Sequence, residues 1–311
     1  MATCREGFIT LNFVPTHVMT WGGWIEDSPE SPWKEIIVMF PGNPGVVSFY
    51  TELCEQLYEK MKIPVWVVSH AGHELPPDDR LMPNENNNTH LYDINGQIKN
   101  KKEFIRRFVP ESCKVHLLAH SVGGFIALEL LKDDDVADKV QHSYLLFPVL
   151  EHIAQTVNGR FLQNYVLRIL WLVYFGAGFF FMLPNFLKVL LLSIHAKIVG
   201  MRLTPLNKQS IMLLINPKIL RSVFNLAIDE LSVINALEVD LIKKRKDKVL
   251  VYYSDHDNWA PVSHYENLVK AVPGVKAEIC KKGIDHAFML YKPSSLMGDV
   301  LIERINRNRV K

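Results

Sequence analysis

Apolar residues along this chain gather into short unbroken runs separated by stretches of helical spacing. Residues 35–40, 64–69, 115–120, 140–147, 248–254 and 275–280 are runs of strand length, as expected of strands covered on both faces. In residues 48–61, Phe49, Leu53, Leu57 and Met61 fall on one side of a helix, and Ile94, Ile98, Ile105 and Phe108 mark a second amphipathic helix. Residues 8–14 and 17–24 read as two short strands of a hairpin joined through Pro15. Strands alternating with helices predict an α/β fold with a mostly parallel, doubly wound sheet and an antiparallel start. Residues 70–90 are rich in Pro, Asn and Asp and are expected to form a long surface loop near the functional end of that sheet.

About a hundred residues between Phe147 and Lys248 have helical composition and do not fit the alternation. They predict a helical cap, which divides the chain into a first core segment (residues 1–148), a cap (149–246) and a second core segment (247–311). Within the cap, around residues 165–192, no charged residue lies between Arg168 and Lys188. That uncharged stretch approaches the length of a transmembrane helix, but Gly176, Gly178 and Pro184 interrupt it. If both flanks belong to one domain, the chain must return to the side it left. A bent hairpin or an in-plane, monotopic element is therefore expected, and a buried helix over an apolar substrate site is the alternative.

Residues 115–124 read Val-His-Leu-Leu-Ala-His-Ser-Val-Gly-Gly, an apolar strand running through a small-x-Ser-x-Gly turn into the helix-like residues 125–132. So sharp a turn needs small residues around the serine, because larger ones would strike the neighbouring backbone. The pattern is a nucleophile elbow with Ser121 as nucleophile. Ala119 stands where glycine is usual and adds only a methyl group.

Acyl transfer by a serine also requires a base, a group that orients the base, and donors for the developing oxyanion. Folds with such an elbow carry them in the order Ser, acid, His. The strand at 248–254 ends in Asp255-His256-Asp257-Asn258-Trp259-Ala260-Pro261, which offers Asp257 as the acid, with Asp255 as the alternative. A turn former or helix cap is the structural alternative for Asp257. His286, just after the last strand, is the candidate base. The N–H of Val122, the residue after the nucleophile, is one expected oxyanion donor. The second is expected from the Pro41-Gly42-Asn43-Pro44-Gly45 loop, where Pro44 has no N–H, so Asn43 is the candidate.

At 311 residues with 48% hydrophobic content and a net charge of +2, the chain has no charge excess that would suggest nucleic-acid binding. Cys4, Cys54, Cys113 and Cys280 lack metal-ligand spacing and read as reduced core thiols. Residues 1–10 contain Arg5 and Glu6 and no apolar signal core, so a cytosolic face is expected, and the sequon at Asn87 reads as a polar loop. No metal and no cofactor is required by this chemistry. The basic run 243–246 and Arg304, Arg307 and Arg309 could favour an anionic membrane surface, although such residues more often form solvated faces.

The elbow, the Pro-Gly-Asn-Pro-Gly loop, the Asp-x-Asn-Gly-Gln-Ile-x-x-Lys stretch at 93–101, the Asp-Asn-Trp-Ala-Pro segment and the terminal Asp-His-Ala-Phe occur together. In these motifs the chain resembles the lipid droplet-associated hydrolase family. The resemblance implies an α/β-hydrolase fold with Ser121 as nucleophile, and residence on the lipid droplet monolayer and the endoplasmic reticulum membrane. It also implies a lipid ester substrate, with sterol esters the substrate associated with the family. The expected activity is hydrolysis of neutral lipid esters through an acyl-enzyme. A surface protein of low turnover that organises lipid or membrane contacts, and an acyltransferase using the same triad, are the alternatives.

Overall fold

The computed structural model describes residues 4–27, 33–291 and 294–309. Among these residues eight strands form one sheet: β1 (Cys4–Leu11), β2 (Val14–Trp21), β3 (Glu35–Phe40), β4 (Val65–Val68), β5 (Lys114–His120), β6 (Val140–Leu146), β7 (Val249–Ser254) and β8 (Lys276–Cys280). Their order across the sheet is β1-β2-β4-β3-β5-β6-β7-β8, with β1, β2 and β4 antiparallel and β4 through β8 parallel. The parallel strands are apolar because both faces are covered. Along β5, Val115, Leu117 and Ala119 join one core while Leu118 joins the other.

On one face lie α1 (Thr51–Met61) and, further along the chain, the C-terminal helix Ser295–Arg309, which supply Leu53, Leu57, Leu301 and Ile305. On the other lie α2 (Ile94–Phe108) and α3 (Val122–Leu130), with Phe104, Ile105 and Ile126. The short α4 (Asp134–Lys139) leads into β6.

Everything between β6 and β7 is helical or loop: α5 (Val157–Phe161), α6 (Leu170–Met182), α7 (Asn185–Val199), α8 (Pro205–Leu214), α9 (Pro217–Val233) and α10 (Val239–Arg245). The chain from Val157 to Met182 is one 26-residue helix, with a π turn at Leu162–Val166 and a 3-10 turn at Leu167–Ile169. By length and composition it could cross a membrane. It ends at Leu183, and Pro184 precedes α7. After β7 come α11 (Val262–Ala271), the single turn α12 (Phe288–Tyr291) and α13, the C-terminal helix.

Several local expectations change. The first hairpin turns at Asn12 and Phe13 instead of Pro15, so both strands begin three or four residues earlier than expected. Asn12 and Phe13 both take positive φ, 46° and 65°, as a two-residue turn that follows the strand twist requires. Phe13 stands where such turns usually carry glycine, so the turn lacks its usual mark. Pro15 instead lies within β2 opposite Thr10. Residues 70–74 are buried and not a surface loop, and only the part beyond them reaches solvent. All four cysteines are free, but Cys4 is exposed while the other three are buried. Five of the basic side chains are engaged by carboxylates: Lys244 and Arg245 by Asp134, Arg304 by Glu278, Arg307 by Glu303, and Arg309 by Glu35.

Candidate active site

β5 delivers its last residue, His120, to the carboxyl edge of the parallel sheet, and α3 starts at Val122. Ser121 between them adopts φ 53° and ψ −121°, a conformation costing about 1–3 kcal/mol that persists only where the surroundings enforce it. The enforcement is visible in the neighbouring glycines. A Cβ on Gly123 would stand 2.6 Å from the Pro41 carbonyl oxygen, and one on Gly124 would stand 2.5 Å from Pro148 Cβ.

β7 ends at Ser254, and the loop after it brings Asp257 inward. Asp257 Oδ1 accepts from the N–H groups of Trp259 (2.7 Å) and Ala260 (3.1 Å). The turn-forming role and the acidic role therefore reside in one side chain, because Oδ2 accepts from His286 Nδ1 at 2.5 Å. With Nδ1 carrying the proton, His286 Nε2 is left to accept from Ser121 Oγ–H at 3.0 Å. Burial pushes the Asp257 carboxyl up, but the bond to and charge of His286, with the two backbone donors, outweigh it and hold it below its ordinary value. Asp255 lies elsewhere: it is exposed and pairs with His256, whose other ring nitrogen meets Asp285.

The loop after β3 runs directly against the serine. A Cβ on Gly42 would lie 2.9 Å from both Ser121 Cβ and His120 Nδ1. Asn43 and Ser121 border the same cavity. Val122 begins α3, where the first N–H groups have no partner one turn back.

Two side chains that the sequence reading passed over hold this frame. Tyr50 Oη accepts from Gly42 N–H (2.9 Å) and donates to His120 Nδ1 (2.7 Å), which leaves His120 Nε2–H to donate to the His286 carbonyl (3.0 Å). Burial, and then the neighbouring His286, pushes His120 down to about 3, so it stays neutral, as this relay needs. The loop bearing His286 is tied a second time where Ser254 Oγ donates to the Ile284 carbonyl. A histidine directly before the elbow serine was the available signal for His120; Tyr50 had none.

The 93–101 motif acts from behind. Asp93 caps α2 by accepting from Gly96 N–H, Gln97 brackets both backbone groups of Ala71, and Lys101 Nζ donates to the Ser69 carbonyl. The segment so clamped then grips the loop beside the serine: Ser69 Oγ donates to the Gly45 carbonyl and His73 Nδ1 to that of Pro44. These clamps also explain why residues 70–74 are buried.

The cavity over Ser121 has a volume of about 900 Å³. The core contributes Asn43, Ser121 and His286, and the intervening helices contribute Phe180, Leu192 and Phe224. Among the described residues, no cluster of three or more His, Cys, Asp or Glu has metal-holding geometry.

A sequence model of the lipid-droplet associated hydrolase family matches residues 33–289. The lipid droplet-associated hydrolase of Drosophila melanogaster is 33% identical over 309 residues, covering 98% of this chain and 99% of its own. The protein of the same name from Mus musculus is 32% identical, covering 97% and 95%. Among solved structures, an esterase from Exiguobacterium antarcticum superposes with a TM-score of 0.62 at 15% identity, covering 98% and 100%. A haloalkane dehalogenase from Bradyrhizobium elkani does so with 0.63 at 9%, covering 99% of each chain. At such identities the structural likeness speaks for the α/β-hydrolase fold alone.

Proposed function

Since this chain belongs to the lipid-droplet associated hydrolase family, we propose that it is a serine ester hydrolase acting on neutral lipid esters, sterol esters included, at the lipid droplet surface. The observation that carries this reading is the line Ser121 Oγ, His286 Nε2, His286 Nδ1, Asp257 Oδ2, with successive hydrogen bonds of 3.0 and 2.5 Å. Ser121 Oγ attacks the ester carbonyl while His286 Nε2 takes its proton. Asp257, ionised through its donors, fixes the tautomer and stabilises the imidazolium. The N–H groups of Asn43 and Val122 receive the oxyanion. His286 then protonates the leaving alcohol, and water attacks the acyl-enzyme by the same proton path in reverse.

An apolar cavity of about 900 Å³ above the serine suits an ester with a large hydrocarbon part. A surface that would bring the protein to such a substrate lies beside it. Trp171, Phe175, Phe179, Met182 and Phe186 of α6 and α7 are 62–84% exposed, and the first four recur every three or four residues along α6 rather than singly. Other side chains of these helices, Phe180, Leu191 and Leu192, border the cavity. We read α6 and α7 as a monotopic element lying in the droplet monolayer or the endoplasmic reticulum membrane, with the catalytic domain on the cytosolic face. Purified protein incubated with emulsified lipid esters should release fatty acid, and Ser121→Ala should abolish release. Release that persists in Ser121→Ala would refute the reading.

A further inference from the structure

We propose that Glu230 is a positioning residue through which helix α9 sets the place of the oxyanion loop, an inference that rests on the serine-hydrolase reading above. The contact joins distant parts of the chain. Asn43 follows β3 in the core, and both protons of its side-chain amide go to α9: Nδ2 donates to the Val223 carbonyl at 2.9 Å and to Glu230 Oε1 at 3.0 Å. Val223 and Glu230 are seven residues apart, so Asn43 bridges two turns on one face of the helix. Among the described residues, its own Oδ1 has no partner. Among the described residues the side chain of Asn43 is thus held by α9, whereas Pro44 and Gly45 are held from behind by His73 and Ser69.

Helix α9 is fixed well enough to serve as a reference. Asp229, beside Glu230, accepts from the N–H of Ile94 at the start of α2, and Ser222 and Asn225 bond Glu85. Glu230 itself is 5% exposed and borders the substrate cavity among apolar side chains. A carboxyl there is costly when charged. Burial, against the opposing Asn43 bond and with the help of Asp229, pushes it up to about 8. At neutral pH burial therefore favours the uncharged acid, whose carbonyl oxygen accepts from Asn43. Any displacement of α9 is passed through that bond to Asn43, and so to the N–H expected to meet the oxyanion. Because the oxyanion is absent from the bound ester and develops only in the transition state and tetrahedral intermediate, loss of this hold should lower kcat and leave KM nearly unchanged.

Steady-state kinetics on a short-chain, water-soluble ester test this with Glu230→Leu, Glu230→Gln and Asn43→Ala, the last keeping the backbone N–H while removing the link. Glu230→Leu and Asn43→Ala should each lower kcat about 10–100-fold, short of the loss from deleting a donor outright, with KM within about twofold. Glu230→Gln keeps an oxygen in the same place and should recover kcat to within about threefold of wild type. The double variant Asn43→Ala/Glu230→Leu should be no worse than Asn43→Ala, since Asn43→Ala already removes the bond that Glu230→Leu breaks. Unchanged kcat in Glu230→Leu, equal loss in Glu230→Gln and Glu230→Leu, or additive losses in the double variant would each overturn the proposal. Should Glu230→Leu fail to fold by circular dichroism, Asn43→Ala decides: wild-type kcat overturns the proposal and reduced kcat at constant KM sustains it. Turnover that is independent of Ser121 would instead sink the hydrolase reading, whatever Glu230 does.

Discussion

Replacing Trp171, Phe175, Phe179, Met182 and Phe186 together by serine should detach the protein from lipid droplets without touching the chemistry. These side chains are 67%, 73%, 62%, 84% and 70% exposed, respectively, and none borders the cavity over Ser121. Full burial of such a side chain is worth ~1.5–3 kcal/mol. Scaled by an exposure of seven-tenths and halved for insertion only to the headgroup boundary, the five contribute ~3–5 kcal/mol in total. That corresponds to a fall of about a hundredfold to a few thousandfold in partitioning, at ~1.4 kcal/mol per factor of ten. The assay is flotation of purified protein with triacylglycerol droplets coated in phospholipid, read beside hydrolysis of a water-soluble ester. The quintuple variant should remain in the aqueous fraction and hydrolyse the soluble ester at the wild-type rate. Flotation equal to wild type would refute the assignment of α6 and α7 as the lipid-facing element.

The two aspartates after β7 should separate cleanly. Asp257→Asn, which would leave His286 without a carboxylate on Nδ1, should lower kcat ~10³–10⁴-fold at neutral pH, whereas Asp255→Asn, at an exposed pair with His256, should stay within about twofold. The reverse order would exchange their roles. Glu230 gives a pH test by chemical denaturation. Its native carboxyl titrates at about 8 against an ordinary 4.5, chiefly because it is buried. The native state therefore keeps a proton that the unfolded chain releases, and wild type loses stability as pH rises from 4.5 to 8. At ~1.36 kcal/mol per pH unit the ceiling is ~5 kcal/mol. Glu230→Gln should gain on wild type by at least ~1 kcal/mol between pH 5 and pH 8.5, and parallel stability profiles would contradict the burial argument.

What could be read in advance follows from where the information resides. The parallel strands announced themselves because burial on both faces forces continuous apolar runs, and the elbow did so because its strained serine demands Gly123 and Gly124. Ser121, Asp257 and His286 could be named because each follows a separate strand at the same edge of the sheet, so topology brings them together. The first hairpin was misplaced because Asn12 and Phe13 make a tight turn without the usual glycine, while Pro15, a strong turn former, sits within a strand. Asp257 and Asp255 are two positions apart on one loop, and only the folded direction of each side chain distinguishes them. Glu230 carried no local signal at all, since its partner is 187 residues earlier in the chain.

The most direct test of the account is intact-protein and peptide mass spectrometry after reaction with a fluorophosphonate. One adduct should form, located on Ser121, and it should be absent from Ser121→Ala and strongly slowed in His286→Ala. An adduct on another residue, or undiminished labelling of Ser121→Ala, would contradict the claim that Ser121 is the nucleophile served by His286.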